Sequence, residues 1–187
     1  MKKLLLFTIL LLCFLFSGCT GYREIDRGYF VTAIAFSKNG DNTIIFIEAL
    51  SSSDVIEEES KKVLLKGEGA NASEAYDDLK NSLIKPLYFE HLGAVVFEDE
   101  GYDNIAFLEQ ITNIKSDVYI VKTHNTDALF KNDTSNGTVG YDVVSLIKHT
   151  EKESGKKFLN RLYNAQKSRA PYIDFTRGKL ELSLQGE

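Results

Sequence analysis

The chain has 187 residues, of which 43% are hydrophobic and 26% charged, a composition that argues against intrinsic disorder and suffices for one ordinary domain. Its formal net charge is −5, and the sequence contains no basic block. Nucleic-acid binding depends on neutralising phosphates, so this charge balance argues against a nucleic-acid partner.

The start of the chain has the layout of a secretory signal peptide. Lys2 and Lys3 precede an apolar run over residues 4–16, and the small residues Ser17 and Gly18 follow it. The run is shorter than the roughly 20 apolar residues that a membrane-spanning helix needs. We therefore predict a leader that is removed, and an exported body.

Cys19 follows this leader in the sequence Phe16-Ser17-Gly18-Cys19, which resembles a bacterial lipobox. In a lipobox a diacylglycerol alkylates the thiolate, and the cysteine becomes the first residue of the mature chain. Two acyl chains hold a protein stably at a membrane, whereas one chain holds it only marginally. Cys13, the other cysteine, would leave with the leader, which excludes an intramolecular disulfide. Lipidation of Cys19 is predicted; the alternative is a plain secreted protein in which Cys19 is incidental.

The sequence pattern of residues 29–66 predicts β-strands. After a polar tether, β-forming residues predict a hairpin whose strands cover residues 29–37 and 43–50, with a turn at Asn39-Gly40. A third strand is predicted at residues 61–66. Gly67 and Gly69 then suit a tight strand-to-helix turn. A phosphate-binding loop fits less well, because the lysine and third glycine of such loops are missing and the intervening residue is an acid.

The hydrophobic period changes after these glycines. Asn71 and Glu74 form a capping-box pattern for an amphipathic helix over residues 72–84, which Pro86 ends. Strands and helices alternate from there, which predicts an α+β fold in which a mixed β-sheet with an opening hairpin is covered by several α-helices. The further strands are predicted at residues 92–98, 118–122 and 179–185, and the further helices at residues 103–113, 126–130, 142–153 (capped by Asp142) and 156–167.

The sequence shows no catalytic motif. His91, His124 and His149 are far apart and form no H-E-x-x-H motif, and no serine lies in a G-x-S-x-G elbow. With Cys19 lipidated, no thiol remains as a nucleophile. We predict no catalytic residue, no metal site and no cofactor. The residues alone indicate a membrane-tethered extracytoplasmic domain that binds or scaffolds.

A series of short motifs follows Cys19 in a recognisable order. The motifs are Arg23-Glu24-Ile25, VTAIAFS at residues 31–37, GEGANASEA at residues 67–75, LYFEHLGAVVF at residues 87–97, Phe107-Leu108, DVYIVKT at residues 117–123 and Ala128-Leu129. In this order they resemble the Ger(x)C family, the lipoprotein C subunits of spore nutrient germinant receptors. The resemblance implies that Arg23, Glu24, Gly67, Gly69, Glu74 and His91 are structural residues of the family motifs. Thr20 stands where the family often has tryptophan.

The resemblance also implies a function. Such a protein is a lipid-anchored subunit at the outer face of the spore inner membrane, and it acts in assembly or signalling during germination. Its partners are two integral membrane subunits, of A and B type, and the membrane itself through the lipid on Cys19. Neither an enzyme nor a cofactor is implied. The alternative is a stand-alone extracytoplasmic lipoprotein that binds a ligand.

Family members are longer than this chain, so the resemblance implies a short form that corresponds to their N-terminal domain. The expected division is a signal peptide over residues 1–18, a lipidated tether over residues 19–28 and the N-terminal domain over residues 29–170. Residues 171–187 are expected to form a terminal strand, a candidate start of a truncated second domain.

Overall fold

The computed structural model describes residues 28–51, 61–98, 101–111, 114, 117–131, 137–150, 170–176 and 179–183. The predicted signal peptide, Cys19, Arg23 and Glu24 lie outside these residues, as does the helix predicted at residues 156–167.

A mixed sheet of eight strands forms the centre of the described part of the chain. Its order is β3-β2-β1-β5-β6-β7-β8, with β4 beside β1. Four pairs are parallel: β1 with β4, β1 with β5, β5 with β6, and β6 with β7. The other three pairs are antiparallel: β1 with β2, β2 with β3, and β7 with β8. The predicted α+β class is therefore confirmed. The strands are β1 (Tyr29–Asn39), β2 (Asn42–Ser51), β3 (Lys61–Gly69), β4 (Leu87–Tyr88), β5 (Ala94–Glu98), β6 (Tyr119–Thr123), β7 (Tyr172–Thr176) and β8 (Lys179–Ser183).

Helices cover both faces of the sheet and enclose two cores. One face packs against α1 (Ala72–Asn81) and a 3₁₀ helix (Gly101–Gln110), and the other against α2 (Thr126–Lys131) and α3 (Val139–Thr150). The central strands are apolar on both faces for this reason. In β6, for example, Ile120 points into the first core, while Tyr119 and Val121 point into the second.

The opening hairpin forms where the sequence predicts it. Asn39 pairs with Asn42, which leaves a two-residue loop. Gly40 occupies the first loop position with a φ of 60°, a conformation that glycine adopts without steric cost. The N-cap at Asn71 is also confirmed, because its side chain accepts the Glu74 N–H at 3.0 Å. The Glu74 side chain bonds back to the N–H of Ala70, one residue before the cap.

Several predicted boundaries and one predicted helix type differ from the structure. Strand β3 continues through Gly67 and Gly69, which pair with β2 rather than forming a turn. Helix α1 ends at Asn81, where the N–H of Ser82 bonds back to the last turn. The helix predicted at residues 103–113 is a 3₁₀ helix instead.

Other differences concern the second half of the chain. Helix α3 begins at Val139 rather than after Asp142, so Asp142 lies in its first turn and does not cap it. The Thr138 hydroxyl accepts the Tyr141 N–H at 3.4 Å in the capping position. Strand β8 lies within the strand predicted at residues 179–185, whereas β4 and β7 have no counterpart among the predicted strands. Strand β7 joins β6 to β8 within the same sheet.

Candidate functional site

A carboxylate lies buried between the sheet and α3. Glu48 on β2 is 1% exposed, and a buried charge is costly unless hydrogen bonds satisfy it. Its Oε1 accepts the Val139 N–H at 3.0 Å, and its Oε2 accepts the Gly140 N–H at 3.2 Å. The Thr32 hydroxyl donates to Oε2 at 2.9 Å. Glu48 thus pairs with N–H groups that a helix start leaves without intrahelical partners, at the end where the helix dipole favours an anion.

A β-bulge in β1 brings Thr32 to this carboxylate. Val31 and Ala33 pair with successive residues of β2, so Thr32 is an extra residue in the ladder. The extra residue lets Val31 and Ile34 share one core although they are three positions apart. The bulge therefore orients a hydroxyl group toward Glu48 and keeps the apolar pattern of β1 in place.

Two glycines allow α3 to approach the sheet closely enough for these bonds. A Cβ atom on Gly140 would lie 2.0 Å from the Thr32 carbonyl oxygen. The same oxygen accepts the Gly93 N–H at 2.9 Å. A Cβ atom on Gly93 would in turn lie 3.0 Å from the Gly140 carbonyl oxygen. A larger residue at Gly140 would push the start of α3 away from Glu48.

Burial raises the pKa of the Glu48 carboxyl above its ordinary value, because a low-dielectric surrounding disfavours the charged form. The N–H groups of Val139 and Gly140 and the hydroxyl of Thr32 act in the opposite direction, and they only partly offset burial. Both carboxyl oxygens accept hydrogen bonds from the protein itself. The arrangement is therefore suited to holding a helix in place rather than to presenting a carboxylate to a ligand.

A second polar cluster lies at the carboxyl end of β6. Nδ1 of His124 lies 2.6 Å from Oδ2 of Asp174 on β7, an ion pair when the ring is protonated. Oδ1 of Asp174 accepts the Thr123 hydroxyl and the His124 N–H, both at 2.9 Å. The imidazole also stacks on Tyr172, with 4.5 Å between the ring centroids. These contacts join β6 to β7 and fix the orientation of the ring.

The pKa of Asp174 is lowered. Burial acts to raise it, but the backbone N–H and the ring of His124 and the hydroxyl of Thr123 together outweigh burial. The His124 side chain is 62% exposed, so a carboxylate orients an imidazole that faces solvent. A carboxylate that orients an imidazole is a component of acid–base sites. Here the neighbouring hydroxyl, that of Thr123, donates to Asp174 rather than to the ring, so the imidazole does not activate it as a nucleophile.

The motif residues that the resemblance singled out lie apart from these two sites, in local contacts. Cβ atoms on Gly67 and Gly69 would lie 2.1 Å and 2.5 Å from backbone atoms of Ala75, so both glycines let α1 pack directly on β3. Glu74 accepts the Ala70 N–H at 3.2 Å. The exposed ring of His91 stands edge-on to Phe30, with 5.5 Å between centroids. With Cys19, Arg23 and Glu24 outside the described residues, lipidation stays a prediction.

Sequence reasoning missed both polar clusters. Glu48 does leave a local signal, since it is the one acid in the apolar strand TIIFIEAL, but its partners lie 16 and about 91 positions away. His124 and Asp174 are 50 positions apart and leave no local signal. Within the described ranges, no group of three or more His, Cys, Asp and Glu residues is arranged to hold a metal ion. No helix of those ranges is long and apolar enough to cross a membrane.

Comparison with known proteins gives one family match. A family model described as the spore germination protein N-terminal domain matches residues 21–175. Comparison with curated proteins and with solved structures gives no significant match. The matched residues begin two positions after Cys19 and extend into β7. They include both the Glu48 site and the pair of His124 with Asp174.

Proposed function

Because the chain belongs to the family of spore germination proteins that share this N-terminal domain, we propose that it is a lipid-anchored subunit of a nutrient germinant receptor. A role in spore germination follows from the family. The anchor, the receptor and the partners are the proposal. The observation that supports it best is the position of Cys19, at the end of a lipobox-like sequence and immediately before the matched domain.

The short tether limits how far the domain can lie from the membrane. Eight residues lie between Cys19 and Gly28, the first described residue, and the nine steps from one Cα atom to the next span at most about 32 Å in a fully extended chain. A lipid on Cys19 would therefore keep the amino end of β1 near the bilayer surface. This places the domain where it can reach membrane-embedded subunits.

The proposed role is assembly or signalling, at the outer face of the spore inner membrane. The partners are the integral membrane subunits of A and B type. Such a role requires a body that keeps its shape when a neighbour binds. The hydrogen bonds between Glu48 and α3 and the contacts between β6 and β7 are features that support this requirement.

The anchor is tested with two single-cysteine variants. Cys19→Ala should abolish incorporation of a labelled acyl chain and release the protein from the membrane fraction. Cys13→Ala is the matched control, because this residue lies in the predicted leader and should leave labelling unchanged. Persistent labelling of the Cys19→Ala protein would refute the anchor.

The receptor role is tested by purification from spore membranes and by gene deletion. The integral subunits should co-purify with the tagged full chain, and deletion in a strain without paralogues should impair nutrient-triggered germination. Unimpaired germination would contradict the proposal. A protein that fails to co-purify but gains thermal stability with a small metabolite would instead be a stand-alone ligand-binding lipoprotein.

A further inference from the structure

One large apolar side chain stands almost completely in solvent. Ile84 is 95% exposed, the highest exposure among the large hydrophobic residues of the described chain. It follows the end of α1, in the loop over residues 82–86, which we call the Ile84 loop. Leu83 beside it is partly buried against the core, so the loop directs one apolar residue inward and the next outward. The amphipathic pattern of α1 does not explain Ile84, because the helix ends at Asn81.

The Ile84 loop lies beside the point where the tether enters the fold. The carbonyl oxygen of Pro86 accepts the N–H of Tyr29 at 2.9 Å. The next two residues form β4, which pairs in parallel with Tyr29 and Phe30 at the amino end of β1. Gly28 fits against the ring of Tyr88, where a Cβ atom would lie 2.2 Å from the ring. The end of the tether and the Ile84 loop thus share one edge of the sheet.

We propose that the Ile84 loop contacts the lipid bilayer and sets the orientation of the domain on the membrane. The inference rests on the proposed lipid anchor, because a tether of at most about 32 Å keeps this edge within reach of the bilayer surface. The occupant is a bilayer because of this tether and because of the residue types. Lys85 is the single charged residue among residues 82–86, and half-buried tyrosines at positions 29 and 88 flank the loop. An exposed aliphatic residue with a neighbouring cation and aromatic rings suits the interface of an anionic bilayer.

The proposal fixes which edge of the sheet faces away from the membrane. Strand β1 runs from Tyr29 at the Ile84 edge to Asn39 at the hairpin, about 33 Å along an extended strand. The pair of His124 with Asp174 lies at the carboxyl ends of strands that continue the parallel set. In the proposed orientation the hairpin tip and this pair point away from the lipid.

The experiment measures lipid contact at the two ends of β1 in the full, acylated chain. Ile84→Cys and Asp41→Cys are each labelled with an environment-sensitive fluorophore, and both positions are exposed, so neither change disturbs the core. The proteins are reconstituted in vesicles of phosphatidylglycerol and phosphatidylethanolamine that carry brominated acyl chains as quenchers. Quenching severalfold stronger at position 84 than at position 41 is the expected result. Acyl labelling of Cys19 is measured on the same samples.

The outcomes separate this inference from the proposed function. Acylated protein with equal, weak quenching at both positions would overturn the orientation and leave the anchor standing. A label at position 84 that enters an apolar environment only when the integral subunits are added, without quenching by the brominated lipid, would assign the loop to a protein contact and overturn the bilayer contact. Loss of acylation and of membrane association would refute the anchor, and the inference with it.

Discussion

The carboxylate of Glu48 accepts the backbone N–H of Gly140 at 3.2 Å, although the two residues lie 92 positions apart in the chain. This bond ties the opening hairpin to the start of α3. The buried carboxylate accepts hydrogen bonds from N–H groups that have no partner within the helix, so both the acid and the helix start are satisfied. The start of α3 can approach β1 this closely because Gly140 has no side chain that would clash with the Thr32 carbonyl oxygen.

Replacement of Glu48 by glutamine should destabilise the fold. Three donors, from Thr32, Val139 and Gly140, converge on the carboxylate, whereas an amide offers one oxygen and turns an NH₂ group toward the remaining donor. We expect Glu48→Gln to lower the free energy of unfolding by about 1–3 kcal/mol, the range for a buried polar group left unsatisfied. Urea denaturation of the full chain measures the loss.

The matched control for this change is Glu181→Gln, at an exposed position on β8. A surface change of this kind alters the free energy of unfolding by no more than about 0.5 kcal/mol. Equal stability of the two variants would show that the buried carboxylate does not hold α3 in place.

Replacement of Gly140 by alanine should also destabilise the fold, through sterics rather than charge. The added Cβ atom would lie 2.0 Å from the Thr32 carbonyl oxygen, a backbone atom that a change of rotamer cannot move. The start of α3 must shift outward, and we expect a loss of about 1–3 kcal/mol in the free energy of unfolding, as for an overpacked core. The exposed Ser145→Ala variant in the same helix should retain or slightly gain stability, because alanine favours helix. A stable Gly140→Ala protein would mean that α3 does not require this close approach.

Local signals explain the parts of the fold that the sequence predicted. The hairpin at Gly40 and the cap at Asn71 depend on neighbours within a few residues, so a reader of the sequence can find both. The end of β3 depends instead on α1. Gly67 and Gly69 suggest a turn when they are considered alone, but the structure uses them inside a strand because the helix lies directly on them.

The two polar clusters could not be predicted for a related reason. A hydrogen bond between Glu48 and α3 exists only after the sheet and the helix have packed, and no spacing along the chain encodes it. The same holds for Asp174, which meets His124 through the pairing of β6 with β7. Strand β7 itself was missed because residues 172–176 show no clear alternation, and because its place beside β6 follows from the packing of the sheet.

The cap of α1 should contribute a measurable share of stability. The Asn71 side chain accepts the Glu74 N–H at 3.0 Å, and its Nδ2 donates to the Glu74 carboxylate at 2.9 Å. Asn71→Ala should lower the free energy of unfolding by about 1 kcal/mol, as is typical for the loss of an N-cap. Asn81→Ala, at an exposed position in the last turn of the same helix, is the control and should have little effect. If both alanine variants unfold at the same urea concentration as the parent, the Asn71 cap is not stabilising.

The ion pair at the carboxyl end of β6 should make stability depend on acid pH. The pKa of Asp174 is lowered in the folded protein, so its carboxylate contributes stability above the ordinary pKa of 3.8 and loses that contribution as the pH falls through the folded value. Asp174→Asn should therefore be less stable than the parent at neutral pH, and the difference should shrink as the pH falls below about 4. Urea midpoints measured between pH 3 and pH 7 give this difference.

The raised pKa of Glu48 acts with the opposite sign, since ionisation of that buried carboxyl weakens the fold as the pH rises above 4.5. This contribution is present in both the parent and Asp174→Asn, so it cancels when one stability is subtracted from the other. Asp41→Asn, at the exposed tip of the hairpin, is the control and should show a small, flat difference from the parent. A difference for Asp174→Asn that stays constant from pH 7 to pH 3 would contradict the assignment of acid sensitivity to the contacts of His124 and Thr123 with Asp174.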